Sequence, residues 1–520
     1  MENVDAIVIG SGHNGLISAF LLAEKGWRVL VLEKADTPGG ASKSATSNGF
    51  THDLYAMNIG LFLGSDFYGE YKEELSENGF EPVVSDHPYA SVFPDGTGIG
   101  VHQDRDKTYQ ALSALSQEDA DSWSRLNDYF DRTAPHFMPL MKMELPSFEA
   151  GKQFFKMYRH FKISGLLQLG SQLLQSPREF VDRWFTDKKV KSLIVPWGFH
   201  LDFAPDVSNG AVFPFLESVL NQRNGMAFSK GGIQQLINSL IKGIEKRGGV
   251  VRTGTEVDEI LVEQGKAVGV KLTSGEIAYA KKAVIGNITP TQLISRLLDP
   301  ETLHSSYVEK AENYQYGPGT MMVHLELNAP LEWAAGKECS EFAYIHIGPY
   351  VEDLSRTYTQ SLNGTLPDSP LLVVGQPTTI DPSRSPEGKH TIWIQVRALP
   401  AEVDRDSLNE IEPGSWREMK EAYAERVLDK LAHYAPNVRD VLSQKVVLSP
   451  KDLEADNPNL VGGDSVSGSH HLHQNYAFRP VAGYSKYHTP IKNLYMVGAA
   501  TWPGGGLNGT SGYLLANKLG

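Results

Sequence analysis

The sequence predicts an α/β fold in which one domain, built on a mostly parallel sheet, is assembled from three separated stretches of chain. Two long insertions between them supply a second, mixed domain. Three observations predict it: a strand, glycine turn, helix and strand at the front of the chain; a similar texture after residue 225; and a final strand, glycine-rich turn and helix at the end. At the front, Val4 to Gly10 reads as a strand, about Gly15 to Lys25 as a helix capped by Gly26, and Arg28 to Glu33 as a second strand. Both strands are continuous apolar runs, as parallel strands covered on both faces require. Downstream, Gln234 to Lys246 has helical periodicity. Strands follow at Val250-Val251, Val257 to Val262, Ala267 to Leu272 and Ala283 to Gly286. The last strand, Asn493 to Gly498, leads through glycines into a helix near Gly512 to Leu519. Residues 1–75, 225–300 and 470–520 therefore form the first domain, and residues 76–224 and 301–469, richer in aromatic residues and prolines, the second. Pro367 to Pro386 and Asn457 to Gly468 read as linkers or as loops within the second domain.

Composition narrows the function. Hydrophobic residues make up 41% of the 520 and charged residues 21%, which places the chain among globular proteins. A net charge of −14 argues against nucleic acid as a partner. The single cysteine, Cys339, excludes an internal disulfide, a thiol redox pair and a cysteine-based zinc site. Met1 to Asp5 carries no basic leader and no stretch approaches the ~20 apolar residues of a membrane span, so the expected location is the cytoplasm.

Gly10-Ser11-Gly12-His13-Asn14-Gly15 is a GxGxxG that follows a strand and opens a helix. Gly10 permits the tight turn, Gly12 lets the backbone approach a pyrophosphate, and Gly15 lets the helix pack on the strand. The helix start offers amide hydrogens and partial positive charge to phosphates. Glu33, 18 residues after Gly15, can accept the hydroxyls of an adenosine ribose and repels a 2′-phosphate. That leaves NAD or FAD. The glycine pair Gly39-Gly40 just after Glu33, together with Gly498-Ala499 and the Gly504-Gly505-Gly506 run at the far end, favours FAD. Its extended ribityl and flavin portions need further close backbone approaches. No second nucleotide-binding βαβ unit is read downstream, so the electrons are expected to leave to oxygen or a quinone.

The Val8 to Ser42 block, Lys230-Gly231-Gly232 with its following helix and strands, and the tail from Phe478-Arg479-Pro480 to Gly512 resemble the phytoene desaturase-like FAD-dependent oxidoreductases. Within that family the chain resembles most the pyridine nucleotide-disulfide oxidoreductase domain-containing branch, although it lacks redox cysteines. The resemblance implies a Rossmann-like FAD-binding domain of the glutathione reductase/amine oxidase type with an inserted mixed α+β substrate domain. It also implies non-covalent FAD and dehydrogenation or isomerisation of an apolar, often polyene, substrate. Carried over, Gly10, Gly12 and Gly15 hold the pyrophosphate, Glu33 the adenine ribose, and Gly39 and Gly40 the ribityl side. Val257 meets adenine, Gly498 and Ala499 the ribityl chain, and Gly505 and Gly506 the flavin pyrimidine. His13, Asn14, Lys34, Ala41, Ser42 and Leu507 flank these positions in the same candidate set. Two departures from the family pattern stand out: Ala499 replaces an acid, and Trp502 replaces a histidine before Pro503. Alternative readings are a flavin amine oxidase, a non-redox flavin-dependent polyene isomerase, and a flavin-free prenyl-protein binding module on the same fold.

Candidate acid/base groups are His471, His473 and Tyr476, in a stretch that also holds His470 and Arg479; the alternative is an ordered polar loop. No carboxylate accompanies the histidines at ligand spacing, so no metal is expected. His52-Asp53 is read as structural. Lys152 to Lys162 interleaves basic and aromatic residues. It reads either as a peripheral membrane contact for delivering an apolar small molecule or, the reading favoured here, as a core helix with snorkelling basic side chains.

Overall fold

The computed structural model describes residues 2–520, with the side chains of Glu2 and Pro300 left aside. A first seven-stranded sheet runs in the order Val257–Glu263, Lys266–Leu272, Ile277–Gly286, Glu2–Ile9, Val29–Leu32, Val250–Arg252, with Leu494–Met496 also paired to Ile277–Gly286. The pairings around Glu2–Ile9 are parallel, and the outer hairpins are antiparallel. Val29–Leu32 is buried along its whole length, which its unbroken apolar run demands. The strand expected only over Ala283 to Gly286 begins earlier, at Ile277. Lys281 and Lys282, which break the apolar pattern, lie exposed on the strand between buried Ala280 and Ala283.

Helix His13–Glu24 covers this sheet together with helices Gln234–Lys246 and Thr510–Leu519. Its contact with the last helix is close: a Cβ at Gly512 would stand 2.1 Å from the Asn14 carbonyl oxygen, and Ser18 Oγ donates to Gly512 O at 3.1 Å. Only glycine fits there.

The second sheet runs Leu442–Leu448, Gly319–Leu327, His390–Leu399, Leu371–Gly375, Tyr344–Ile347, Tyr89–Val92, Gly98–Val101. Alternation assigns its faces. Met321, Val323, Leu325, Ile392, Ile394 and Val396 form one apolar core with helix Trp416–Tyr434. The intervening residues, among them Thr320, His324, Trp393 and Arg397, point the other way, where Trp393 Nε1 donates to Tyr55 O and Arg397 Nε to Phe199 O. Leu371–Gly375 is an interior strand, so Pro367 to Pro386 is no linker.

Buried Asp53 accepts from Arg384 Nη1 at 2.6 Å and from the Ile233 amide at 2.7 Å, which gives it the structural role expected. Helix Phe148–Leu173, by contrast, corrects the core-helix reading. It buries Ala150, Gln153 and Met157, but Phe154, Phe155, Tyr158, Ile163 and Leu167 are 48–67% exposed. It is broken at Lys162, whose φ is 57°. No helix among the described residues is long and apolar enough to cross a membrane.

Candidate functional site

The turn between Glu2–Ile9 and His13–Glu24 opens onto a long cleft. Gly10, Gly12, His13, Asn14, Glu33, Lys34, Gly39, Gly40, Ala41, Ser42, Val257, Gly498 and Ala499 all line it, so chain from residue 9 to residue 500 converges on one site. Gly15 sits behind the lining. A Cβ there would stand 2.7 Å from the Gly10 carbonyl oxygen, which is the close helix-to-strand packing its motif position requires. Gly505, Gly506 and Leu507 lie outside the lining. Gly505 N donates to His470 Nε2 at 2.8 Å, and Leu507, 4% exposed, packs in the apolar core around the first helix.

Local chemistry holds the cleft open. Glu33 Oε2 accepts from both the amide and hydroxyl of Ser11, at 2.9 and 2.7 Å, and Oε1 accepts from Ala35 N. These bonds tie the end of the second strand to the glycine turn. Gly39 (φ 127°) and Gly40 (φ 58°) carry the next turn, and a Cβ at Gly40 would lie 3.5 Å from Gly12 Cα. His13 lies 2.9 Å from Asn14 Nδ2 and 3.3 Å from Ser42 Oγ, and desolvation pushes its imidazole down to about 4. Ser511 Oγ donates to Asn14 Oδ1 and accepts from Gly498 N, joining the two ends of the chain at the cleft.

Several lining residues carried no sequence signal. Asn287, just past the strand Ile277–Gly286, presents its amide between Gly12 and Gly498, and only its place after a strand end could have marked it. Asn457 and Asn459 also line the cleft, with Asn459 Oδ1 accepting from Thr289 N, so Asn457 to Gly468 is part of the site and not a linker.

The histidine stretch divides. His470 is buried against Gly504 and Gly505, and desolvation pushes it well below the ordinary histidine range. His471 Nε2 stands 3.3 Å from Asp202 Oδ2, which also accepts from Ser469 Oγ at 2.6 Å, while Tyr358 OH donates to Asp202 Oδ1 at 2.9 Å. Burial raises the Asp202 carboxyl to about 6. His473 is exposed and lines none of this, a difference of two residues across the short turn Leu472–Gln474. Tyr476 OH donates to Asn209 Oδ1 at 3.1 Å and its ring packs 5.4 Å from Trp502. Fully buried Arg479 donates to the Gly468, Ser469 and Ala499 carbonyls, fastening this loop to the cleft. No group of three or more metal-ligating side chains occurs among the described residues.

The flavin-containing amine oxidoreductase family profile matches residues 15–511. The chain belongs to this family. A phytoene desaturase (neurosporene-forming) of Cereibacter sphaeroides is 26% identical over 98% of this chain and 92% of that protein. Pyridine nucleotide-disulfide oxidoreductase domain-containing protein 2 of Rattus norvegicus is 24% identical over the same shares. The crystal structure of an oxidoreductase from Methanosarcina mazei shares the fold, with a TM-score of 0.65 at 18% identity over 99% of both chains. This family member is a flavin-dependent oxidoreductase and its cofactor is FAD.

The cleft of this flavin oxidoreductase fits FAD. No side chain caps helix His13–Glu24, leaving its first amides free for phosphate oxygens. At Gly12 a Cβ would meet Asn287 Nδ2 at 2.5 Å, so any side chain there would displace the Asn287 amide from the cleft wall. Gln292 Oε1, buried beside the cleft, has no hydrogen-bond partner among the described residues.

Proposed function

We propose that the protein is a dehydrogenase or desaturase that removes hydride from a C–H bond of an apolar, lipid-like substrate, polyenes included, and leaves a carbon–carbon double bond. The observation that carries this reading is helix Phe148–Leu173. Its exposed apolar face, flanked by Lys152, Lys156 and Arg159, suits an apolar, anionic surface such as a membrane that stores such substrates. The chain leading into it reaches the tail, because Trp502 Nε1 donates to Met143 O at 2.9 Å. The phytoene desaturase among the relatives is named for a hydrocarbon of this kind.

FAD supplies the two-electron acceptor, with oxygen or a quinone as terminal oxidant. The protein's own residues bind and orient. The glycine turns at Gly10–Gly12 and Gly39-Gly40 take the pyrophosphate and ribityl side, Glu33 the ribose, and Val257 the adenine. Gly498, Ala499, Gly505 and Gly506 take the flavin end. An allylic C–H leaves a delocalised cation, so the site needs one proton acceptor and no strong base. His471, held by Asp202, fills that role, with Tyr476 as the alternative group. Residues 1–75, 225–300 and 470–520 constitute the FAD-binding domain in this reading, and residues 76–224 and 301–469 the substrate domain. The strands of the first sheet support that division.

Anaerobic bleaching of the bound flavin by a panel of apolar alkenes and amines tests the proposal. Bleaching by alkenes, slowed at least tenfold in His471→Ala with flavin content unchanged, is the expected result. Bleaching by amines alone, or conversion of an alkene isomer without net oxidation, overturns it.

A further inference from the structure

A second cavity lies beside the tail turn. It has room for little more than one water-sized group and is walled by Asp202, Thr320, Tyr358, Arg397, Asp464 and Val466, among others. Val466 is the partition, since a Cβ at Gly505 would stand 3.0 Å from its Cβ. The cavity is thus one side chain away from the turn assigned above to the flavin end.

Its electrostatics are specific. Arg397, 5% exposed, spends its hydrogen bonds on uncharged oxygens: Nε and Nη2 on Phe199 O, and Nη1 on Thr320 Oγ1 at 3.1 Å and Ser465 Oγ at 2.5 Å. One of the five guanidinium hydrogens, on Nη2, is left without an acceptor among these bonds. The two acids on the same wall are already engaged. Asp464 accepts the amides of Gly317, Val466 and Gly468, and Asp202 accepts Tyr358 and Ser469. Each class of ligand end meets this set differently. A carboxylate would add negative charge beside two buried acids, and an ammonium would face a desolvated guanidinium. A bare hydrocarbon end would leave the unspent N–H dry. A hydroxyl accepts that N–H, brings no charge, and donates its own hydrogen to a carboxylate oxygen.

We propose that this cavity is a specificity pocket for an uncharged oxygen function, a hydroxyl, at one end of the otherwise apolar substrate, with Arg397 as its principal donor. The inference rests on the function proposed above and narrows its substrate class.

The test uses the FAD-loaded enzyme with an isoprenoid alkene and the primary alcohol, carboxylic acid and amine of the same skeleton. Binding is read from perturbation of the flavin spectrum and reaction from anaerobic bleaching. One charge-assisted hydrogen bond corresponds to about tenfold in affinity, so the alcohol should bind about tenfold tighter than the alkene and tighter than acid or amine. Arg397→Met should bring the alcohol-to-alkene ratio in kcat/KM close to one, and Thr320→Val, which keeps the charge, should lower it less. Equal or weaker binding of the alcohol, preference for the acid, or a ratio unchanged in Arg397→Met overturns the pocket. Should Arg397→Met not fold, the order of the four ligands on the wild-type enzyme decides alone. Alkenes that bleach the flavin without preference for the alcohol defeat this inference only. Failure of every alkene and alcohol to bleach it, with the binding order intact, defeats the reaction reading instead.

Discussion

At the level of single residues, the glycines of the cleft act through what they lack. A side chain at position 12 would press on the Asn287 amide and fill the approach to the first helix, yet no buried apolar contact is lost with it. Gly12→Val is therefore expected to cut FAD content at least tenfold while the far-ultraviolet circular dichroism stays native. Full flavin content in the purified variant would refute the assignment of this turn. These positions were legible in the sequence because a tight turn after a strand encodes its backbone geometry locally. Asn287, Gln292 and Asn459 were not, since each is brought to the cleft by a loop or, for Gln292, a three-residue helix whose position only tertiary packing fixes. Arg397 was hidden for a related reason. Its orientation follows from the period-two alternation with Trp393, but only once His390–Leu399 is known to be a strand. His471 and His473 looked equivalent in the sequence, and only the turn at Leu472–Gln474 separates them.

Among the secondary-structure elements, helix Phe148–Leu173 departs most from its sequence reading. A strip of aromatic and basic residues is compatible with a buried face and with an exposed one, and periodicity alone does not say which side meets the rest of the fold. Here the aromatic side is the outer one. Surface attraction of this kind combines apolar burial with about 1 kcal/mol per basic residue near an anionic bilayer. The double variant Phe154→Ser/Phe155→Ser should lose at least tenfold in co-sedimentation with phosphatidylserine-containing vesicles, with no drop in melting temperature, because neither ring is buried. Undiminished vesicle binding would remove the membrane from the argument. The elements of the first sheet, in contrast, were largely legible, because continuous apolar runs between glycine turns leave few alternatives; Ile277–Gly286 was the exception, since Lys281 and Lys282 hid its first half. The second sheet was not: its strands pair over separations of up to about 250 residues, and alternating polar positions disguise them.

Across the whole molecule, buried histidines set the response to acid. Desolvation pushes His324 and His346 down to about 3 and His52 to about 4, so the folded protein keeps them neutral where the unfolded chain is protonated. The unfolded state then binds more protons below about pH 6.5, and stability falls as pH falls through that value, by about 1.4 kcal/mol per pH unit for each such group. Buried Glu217 and Asp202, raised to about 7 and about 6, act in the opposite direction, since the folded state takes up their protons first. Low-lying His13, His200 and His470 add to the first group, so the histidines prevail. Urea midpoints are expected to drop steeply between about pH 6 and 4; a midpoint constant across that window would contradict the burial of these rings.

The contact of Gly512 with Asn14 bears on how the enzyme is made. Translation delivers the glycine turn first and the helix that packs over it nearly five hundred residues later. A nascent chain on the ribosome therefore displays only half of the cleft, and yellow colour can develop only once residue 512 has been made and folded back onto it.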